Sequence, residues 1–452
     1  MKEDGEKAFF SKFLCEKVRG SDVVIFNSLN PHPAVGTSLG NWEHFKFCVE
    51  DHRLTPLWAD LKKKGLLINS PEEDFSMLAD IREKFLKTIP PVPSTLYLVL
   101  TQECNLKCTY CPFPRIDYLR KTPRKMSSEI AKKGIDFWAR GLGELRSSEY
   151  PGYIIFYGGE PLLNRDVLEC SLDYIKDLKS VRKIPNEVRL LLDTNGTILS
   201  DETASLLKSH DVEVTVALDE FSGKNDICRK DKEGNGTFER VVETLDRLRM
   251  VGIKTYLSTS LTPFTSLEEI ATTVEKYSIM GIGVNMLRGE IPQELFGAEG
   301  IDAEAYRMNC ATDLVNLWQQ KGKKVAEFQT QRRASAFQLR NFHTCSCGGF
   351  GEHVVIQPDG EIGNCPWTDT YNMGDLDHNL FYSSIKGANF LSKRKESLPL
   401  FNNNCLKCEA ISICGGGCVW ADDELGKKDE SGCLLSKQML DFLVWNNYQR
   451  IE

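Results

Sequence analysis

Three cysteines, Cys104, Cys108 and Cys111, fall within eight residues of "TQECNLKCTYCPF" (101–113), in the spacing C-x3-C-x2-C. Four thiolates complete a four-iron cluster, whereas three leave one iron with open coordination positions. A structural zinc site is closed by a fourth ligand. This loop offers no histidine and no fourth cysteine nearby, and Pro112 follows Cys111 directly. The spacing therefore fits a cluster whose unique iron binds something else. A second field fills the last quarter of the chain: Cys345, Cys347, Cys365, Cys405, Cys408, Cys414, Cys418 and Cys433. Its C-x2-C-x5-C-x3-C run at 405–418 could, taken alone, close one zinc.

The rest of the composition sets bounds. A chain of 452 residues predicts two or three domains, and 41% hydrophobic with 27% charged residues is ordinary for a globular protein. No apolar run is long enough for a membrane span, and "MKEDGEKAFFSKF" has no apolar core of a secretory signal. A cytoplasmic protein with no membrane partner is expected. There, 16 cysteines read as metal ligands and buried thiols rather than a disulfide framework. The scattered Cys15, Cys48, Cys170, Cys228 and Cys310 are expected to be ordinary, mostly buried residues. A net charge of -8 argues against nucleic acid as a partner.

The elements that must position the first cysteine loop alternate. "TLYLVLT", "GYIIFY", "VRLLLD", "VEVTVALD", "IKTYLSTSLT" and "GIGVNML" read as strands, with amphipathic helical stretches between them and a last helix expected at 302–321. Such alternation implies a parallel sheet covered by helices. Six units suggest an incomplete barrel, with an open sheet as the alternative on pattern alone. The cysteine loop, "GGEP" (158–161), "DTNGT" (193–197) and "ALDE" (217–220) each follow a strand, where parallel α/β folds carry their sites.

With Tyr110 before its third cysteine, the loop closely resembles that of the radical S-adenosylmethionine superfamily. The resemblance implies that the open iron chelates the amino and carboxylate groups of S-adenosylmethionine. One electron from the cluster then yields a 5′-deoxyadenosyl radical that takes a hydrogen atom from the substrate. It implies further that Gly158 and Gly159 permit close backbone approach and that Glu160 meets the methionine ammonium. By the same resemblance Asp219 and Arg229 belong to the segment facing the cofactor ribose and carboxylate, and Leu287 packs on adenine. Where relatives read S-L-D-G, this chain has Ala217 and Glu220, so the serine hydroxyl is missing. The C-terminal cysteines resemble the SPASM extension, which holds two auxiliary four-iron clusters. That implies Cys405, Cys408, Cys414 and Cys433 for a far cluster and Cys347, Cys365 and Cys418 for a near one. For the near cluster's fourth ligand Cys345, His343 or an open iron remain alternatives. Three [4Fe-4S] clusters are expected in all.

The resemblance implies an α/β fold: a partial (β/α)6 TIM-like barrel at 91–325, a small winged-helix-like peptide-binding domain at 1–90 and the SPASM extension at 326–452. The proline-rich "KTIPPVPS" (87–94) marks the first boundary. The function implied is modification of a ribosomally made precursor peptide, with a thioether as the bond formed. A reductant such as flavodoxin or ferredoxin is the second expected partner. The alternative is a sulfatase-maturase-like oxidase that makes formylglycine, or another protein-modifying radical SAM oxidase. Two features favour the peptide enzyme: about a hundred residues precede the first cysteine motif, and Pro366 stands where sulfatase maturases tend to carry aspartate. Among the acidic residues near the strand ends, Asp193, Glu220 and Asp226, no base can be named from sequence, because such residues also cap helices.

Overall fold

The computed structural model describes residues 8–51, 58–87, 93–111, 124–144, 152–220, 223–287, 308–316, 327–343, 345–367, 373–377, 395, 398–426 and 430–451. The expected boundaries at 90/91 and 325/326 both lie outside these residues, as does most of the helix expected at 302–321, of which 308–316 is helical.

The first unit begins with an antiparallel meander, β1 (Leu14–Arg19), β2 (Asp22–Asn27) and β3 (Asn30–Ser38). The β1–β2 turn is Gly20–Ser21, and Gly20 has φ 58°, a left-handed backbone that glycine adopts without a Cβ clash. Helix α1 (Leu39–Glu50) starts where the Ser38 side chain accepts the Asn41 N–H. Its Trp42 and Phe45 pack on Val23, Ile25 and Val35 of the sheet. The amphipathic stretch after residue 55 contributes a short helix, Trp58–Lys63, and Leu67–Ile68, which pairs with Phe9–Phe10. Helix α2 (Pro71–Leu86) follows. At the far edge Gln449 and Arg450 pair parallel to β3 at Val35 and Gly36, so the end of the described chain returns to this unit.

Six strand–helix units then follow as the sequence predicts. The strands are β4 (Thr95–Thr101), β5 (Tyr153–Gly158), β6 (Arg189–Thr194), β7 (Val212–Ala217), β8 (Thr255–Leu261) and β9 (Ile282–Met286). Between them run α3 (Ser128–Glu144), α4 (Arg165–Ser180), α5 (Asp201–Ser209), α6 (Phe238–Val251) and α7 (Leu267–Tyr277). All neighbouring strands pair in parallel in chain order. The last strand does not return to the first, which makes the sheet an incomplete barrel. Burial alternates with the two-residue period of a strand. In β6, Leu190, Leu192 and Thr194 lie buried, while Leu191 and Asp193 on the opposite face keep accessible surface. In β8, Thr255, Leu257, Thr259 and Leu261 are buried, with Tyr256, Ser258 and Ser260 on that other face. One face is therefore sealed by helices, and the other is a polar lumen.

The C-terminal segment continues the same sheet. Strand β10 (His353–Ile356) pairs parallel to β4, and β11 (Ile362–Gly363) returns antiparallel to it. The turn between them uses Gly360 at φ 90°. Helices α8 (Phe328–Gln338) and α9 (Ser431–Asn447) close the unit, and Met439, Leu440, Leu443 and Val444 join the same core as Leu96, Leu98 and Ile356. One core thus runs from the barrel into the cysteine-rich segment. Among the described residues no helix is long and apolar enough to cross a membrane.

Candidate active site

The cysteine loop leaves the C-terminal end of β4 and is pinned from two sides by main-chain hydrogen bonds. From β5, Gly159 N–H donates to Thr101 O (2.9 Å) and Glu160 N–H to Glu103 O (2.8 Å). On the other side, Lys107 N–H donates to Lys230 O (2.8 Å) and Thr109 N–H to Cys228 O (3.0 Å). A Cβ at Gly158 would collide with Thr101 O, and one at Gly159 with Glu103 O. The paired glycines are therefore required where two backbones touch.

Burial raises the Cys104 thiol above its ordinary range, against the pull of the Leu106 N–H on its sulfur at 3.4 Å. Burial pushes Cys108 up to about 12, against the attraction of Arg229. Cys111 raises both further by charge repulsion, so the three thiols stand together. Among the described residues no three His, Cys, Asp or Glu side chains form a ready-made metal group. Three neighbouring thiols, of which Cys104 and Cys108 are raised by burial, are nonetheless a donor set that a cationic centre relieves, since metal binding replaces their protons. The residues fit an iron–sulfur group held by three cysteines.

Glu160 is fully buried beside this loop. One carboxylate oxygen accepts from Leu162 N–H (3.1 Å) and Thr194 Oγ1 (2.8 Å), the other from Asn195 N–H (2.8 Å). Burial still pushes its carboxyl up to about 7. A carboxylate offers about four acceptor directions, so the second oxygen has room for one more donor, such as an ammonium.

Asp219 and Arg229 form a buried pair: Nε to Oδ2 at 2.9 Å and Nη2 to Oδ1 at 3.0 Å. Ser260 N–H (2.9 Å) and the Tyr110 hydroxyl also donate to Asp219. Its four acceptor directions are thus filled by the chain itself, and a direct ribose contact from this carboxylate has no place in the arrangement. Asp219 instead orients Arg229 and Tyr110. Two of the five guanidinium N–H groups serve Asp219, and among the described residues three remain for a further carboxylate. The Arg229 guanidinium also lies over the Tyr110 ring, 5.6 Å from its centroid. Leu287 is buried in the main core directly after β9.

The structure sorts the three acids that sequence left level. Asp226 accepts Thr237 N–H and Phe238 N–H, both at 2.8 Å, and so caps α6. Glu220 accepts Ser266 N–H at the start of α7. Asp193 lies on the lumen face of β6. It sits opposite Thr215, whose hydroxyl bonds it, and its charge is felt by Tyr97 and Tyr157. Burial pushes the Asp193 carboxyl up to about 6, with the Thr215 bond opposing. Tyr157 accepts from Trp367 Nε1 (3.1 Å), two residues beyond Cys365. Neither tyrosine nor Trp367 was marked by any sequence motif; their only signal is a place on the period-two face of a strand or beside a cysteine.

Of the C-terminal cysteines, Cys408, Cys414 and Cys433 come together. Cys433 hydrogen-bonds Cys414 and holds it well below the usual thiol range, against burial, with Ser436 and the buried Arg333 helping. Burial raises Cys408, and the charge of Cys414 raises it further. Cys405 begins the short 3-10 turn that ends at Cys408. Cys347 and Cys365 both lie close enough to Tyr97 to raise it, which places them at the lumen. Cys418 precedes Trp420, which packs edge-on against Trp367 at 5.5 Å. Cys345 donates its thiol to Cys347 O (3.2 Å), and His343 is bonded to Ser346 Oγ (3.0 Å), with burial lowering the imidazole to about 4. Of the five scattered cysteines Cys48, Cys228 and Cys310 are buried, and Cys15 and Cys170 are partly so.

Residues 98–277 match the model of the Radical SAM superfamily. The chain is 21% identical over 424 residues to the radical SAM cyclopropyl synthase TigE of Paramaledivibacter caminithermalis, covering 88% of this chain and 84% of that protein. Among solved structures, native anSMEcpe with bound AdoMet superposes with a TM-score of 0.63 at 17% identity, covering 78% of this chain and 98% of that one. Streptococcus suis SuiB bound to S-adenosylmethionine gives 0.55 at 15% identity, covering 93% of this chain and 99% of that one. Those two structures share the fold.

Proposed function

We propose, from the premise that this chain belongs to the radical SAM superfamily and is an enzyme of that kind, that it modifies a ribosomally made precursor peptide by hydrogen abstraction. The observation that carries this is the three-cysteine loop clamped under Gly158–Gly159–Glu160, at the mouth of a lumen that reaches the C-terminal cysteines. Cys104, Cys108 and Cys111 would hold a [4Fe-4S] cluster. Glu160 would take the ammonium of S-adenosylmethionine, and the three remaining N–H groups of Arg229 its carboxylate, with Asp219 and Tyr110 holding the arginine. Cluster and cofactor together supply the one-electron cleavage that takes a hydrogen atom from the substrate, fed by a flavodoxin- or ferredoxin-type reductant.

Support for a peptide comes from SuiB, which has been solved with its precursor peptide SuiA, and from anSMEcpe, which has been solved with the Cp18Cys peptide. The antiparallel unit before the barrel is where a leader would bind, as an added strand. Asp193, the carboxyl on the lumen face of β6, would accept the thiol proton as the new bond forms, and the near auxiliary cluster would take the electron left over when a carbon radical joins the thiolate. The bond we assign is a thioether to a substrate cysteine. Cys347, Cys365 and Cys418 offer three ligands for the near auxiliary cluster, while the Cys345 thiol is turned to a carbonyl, which favours an iron open to a substrate thiolate. Cys405, Cys408, Cys414 and Cys433 would hold the far cluster.

The test is anaerobic reconstitution with iron, sulfide and zinc measured together, followed by reaction with a short cysteine-containing peptide encoded beside the gene. About twelve irons per chain are expected, for three four-iron clusters. The peptide should lose two hydrogens and one alkylatable thiol. Loss of two hydrogens with every thiol still alkylatable would mean a carbon–carbon bond, such as a cyclopropane, and overturn the thioether. Exchange of a cysteine sulfur for a carbonyl would mean formylglycine chemistry.

A further inference from the structure

The segment after β6 carries a side-chain network that the proposed cofactor contacts leave unused. Asn195 is almost fully buried, and its Oδ1 accepts the Thr197 N–H (3.0 Å) and the Thr197 hydroxyl (2.6 Å). A main-chain N–H can only donate, so the orientation of this carboxamide is settled by the backbone. Its amide nitrogen is thereby turned toward Asn105 Oδ1 (2.8 Å) and the Cys104 sulfur (3.8 Å). Asn105 completes the ring by donating its own amide to Thr197 Oγ1 (2.8 Å). The three side chains fix one another's orientation, and one bond leads from the ring to Cys104. The main-chain N–H of Asn195 meanwhile holds Glu160.

We propose that Asn195 is a positioning residue that sets the reduction potential of the first cluster through its amide hydrogen bond to the Cys104 sulfur. This rests on the reading of Cys104 as a ligand of that cluster. Reduction adds negative charge that the thiolate sulfurs share, so a donor fixed on one of them stabilises the reduced form and raises the potential. Because the ring is preassembled by Thr197 and Asn105, the amide does not have to reorganise when the charge arrives. The same residue grips, with different atoms, a cluster ligand and the carboxylate assigned to the cofactor ammonium. The two roles are therefore separable by mutation: the side chain acts on sulfur, the main chain on Glu160.

The experiment uses the reconstituted enzyme and follows, by potentiometric EPR, the part of the cluster signal that responds to S-adenosylmethionine. Asn195→Leu should lower the reduced-to-oxidised ratio at a fixed potential by about tenfold, a shift of about 59 mV to the negative. Its affinity for S-adenosylmethionine should stay within about twofold, since the main-chain bond to Glu160 remains. Thr197→Val, which frees one of the two bonds orienting the carboxamide, should move the potential in the same direction by less. An unchanged potential in Asn195→Leu overturns the proposal, as does a loss of affinity that matches the shift, the mark of a merely structural role. If Asn195→Leu does not assemble its iron, Thr197→Val decides by the same criterion. Cys104→Ala separates the two layers: if it keeps the responsive signal, the assignment of Cys104 is wrong, whatever Asn195 does.

Discussion

In the barrel loop burial holds Cys108 up at about 12, and nothing local overcomes it. In the C-terminal field Cys414 is drawn below its ordinary range by Cys433, Ser436 and Arg333, although it too is buried. The difference follows from what surrounds each sulfur. The barrel thiols project from an irregular loop whose main chain is pinned by β5 and by the segment after β7. Cys414 ends a helical turn, and Cys433 opens α9, so regular structure carries the donors to the sulfur. Arg333 of α8 joins them, its Nε on Ser436 Oγ at 3.0 Å. On the proposed reading the first arrangement would leave one side to a cofactor, and the second, a cradle of regular structure, would suit a closed cluster.

That contrast can be broken most severely by deleting one thiol from each field. Cys104→Ala and Cys433→Ala should each lower iron from about twelve to about eight per chain. Only Cys104→Ala should abolish cleavage of S-adenosylmethionine; equal loss in both variants would show that the fields do not differ in role. Next in size is Asp193→Asn, which should slow peptide product formation by about 10²- to 10⁴-fold, as removal of a general base does. Cleavage of S-adenosylmethionine should survive in that variant, measured as 5′-deoxyadenosine released per chain.

Glu160→Gln should weaken S-adenosylmethionine binding by about 10- to 100-fold, the loss of one charge-assisted hydrogen bond of about 1.5–3 kcal/mol. Its pH dependence sharpens the point. With the folded carboxyl raised to about 7, the anion that binds an ammonium is lost as pH falls below that value. Affinity should therefore fall by about tenfold per pH unit below 7 and level off above it, while the glutamine variant stays flat between pH 5.5 and about 8. The smallest effect is expected for Arg333→Met. Removing the cation beside Cys414 should slow iron uptake by the C-terminal field severalfold, by about 1 kcal/mol of lost thiolate stabilisation, with the first cluster's signal intact.

Much of this was readable along the chain. The six strands and their helices fall where apolar runs and amphipathic stretches predict them, because those signals are local: a period of two, a serine cap at Ser200 or Ser266, a left-handed glycine at Gly252. The glycines at 158 and 159 were legible too, since close backbone approach is a steric demand. Asp219 was legible as belonging to the site but not in its part there. Only the folded chain shows that Tyr110, Arg229 and Ser260, on three separate segments, fill its acceptor directions. Asp193, Glu220 and Asp226 could not be ranked from sequence, since whether a carboxylate caps a helix or faces a lumen depends on which N–H groups reach it.

By itself the sequence determined the donor set and the architecture: three thiols with no fourth, eight more in the last quarter, and a six-unit α/β array to carry the first group at its strand ends. Ligand chemistry and strand periodicity are properties of residue type and spacing, and they survive without coordinates. What tertiary structure alone decided is which side chains meet across strands. The β10–β11 hairpin extends the barrel sheet and brings Cys347 and Cys365 to Tyr97. Asn195 meets Cys104 across 91 residues of chain, and Tyr110 meets Asp219 across 109. Such contacts depend on strand register, and a shift of one residue in β6 would turn Asp193 from the lumen to the helix-covered face.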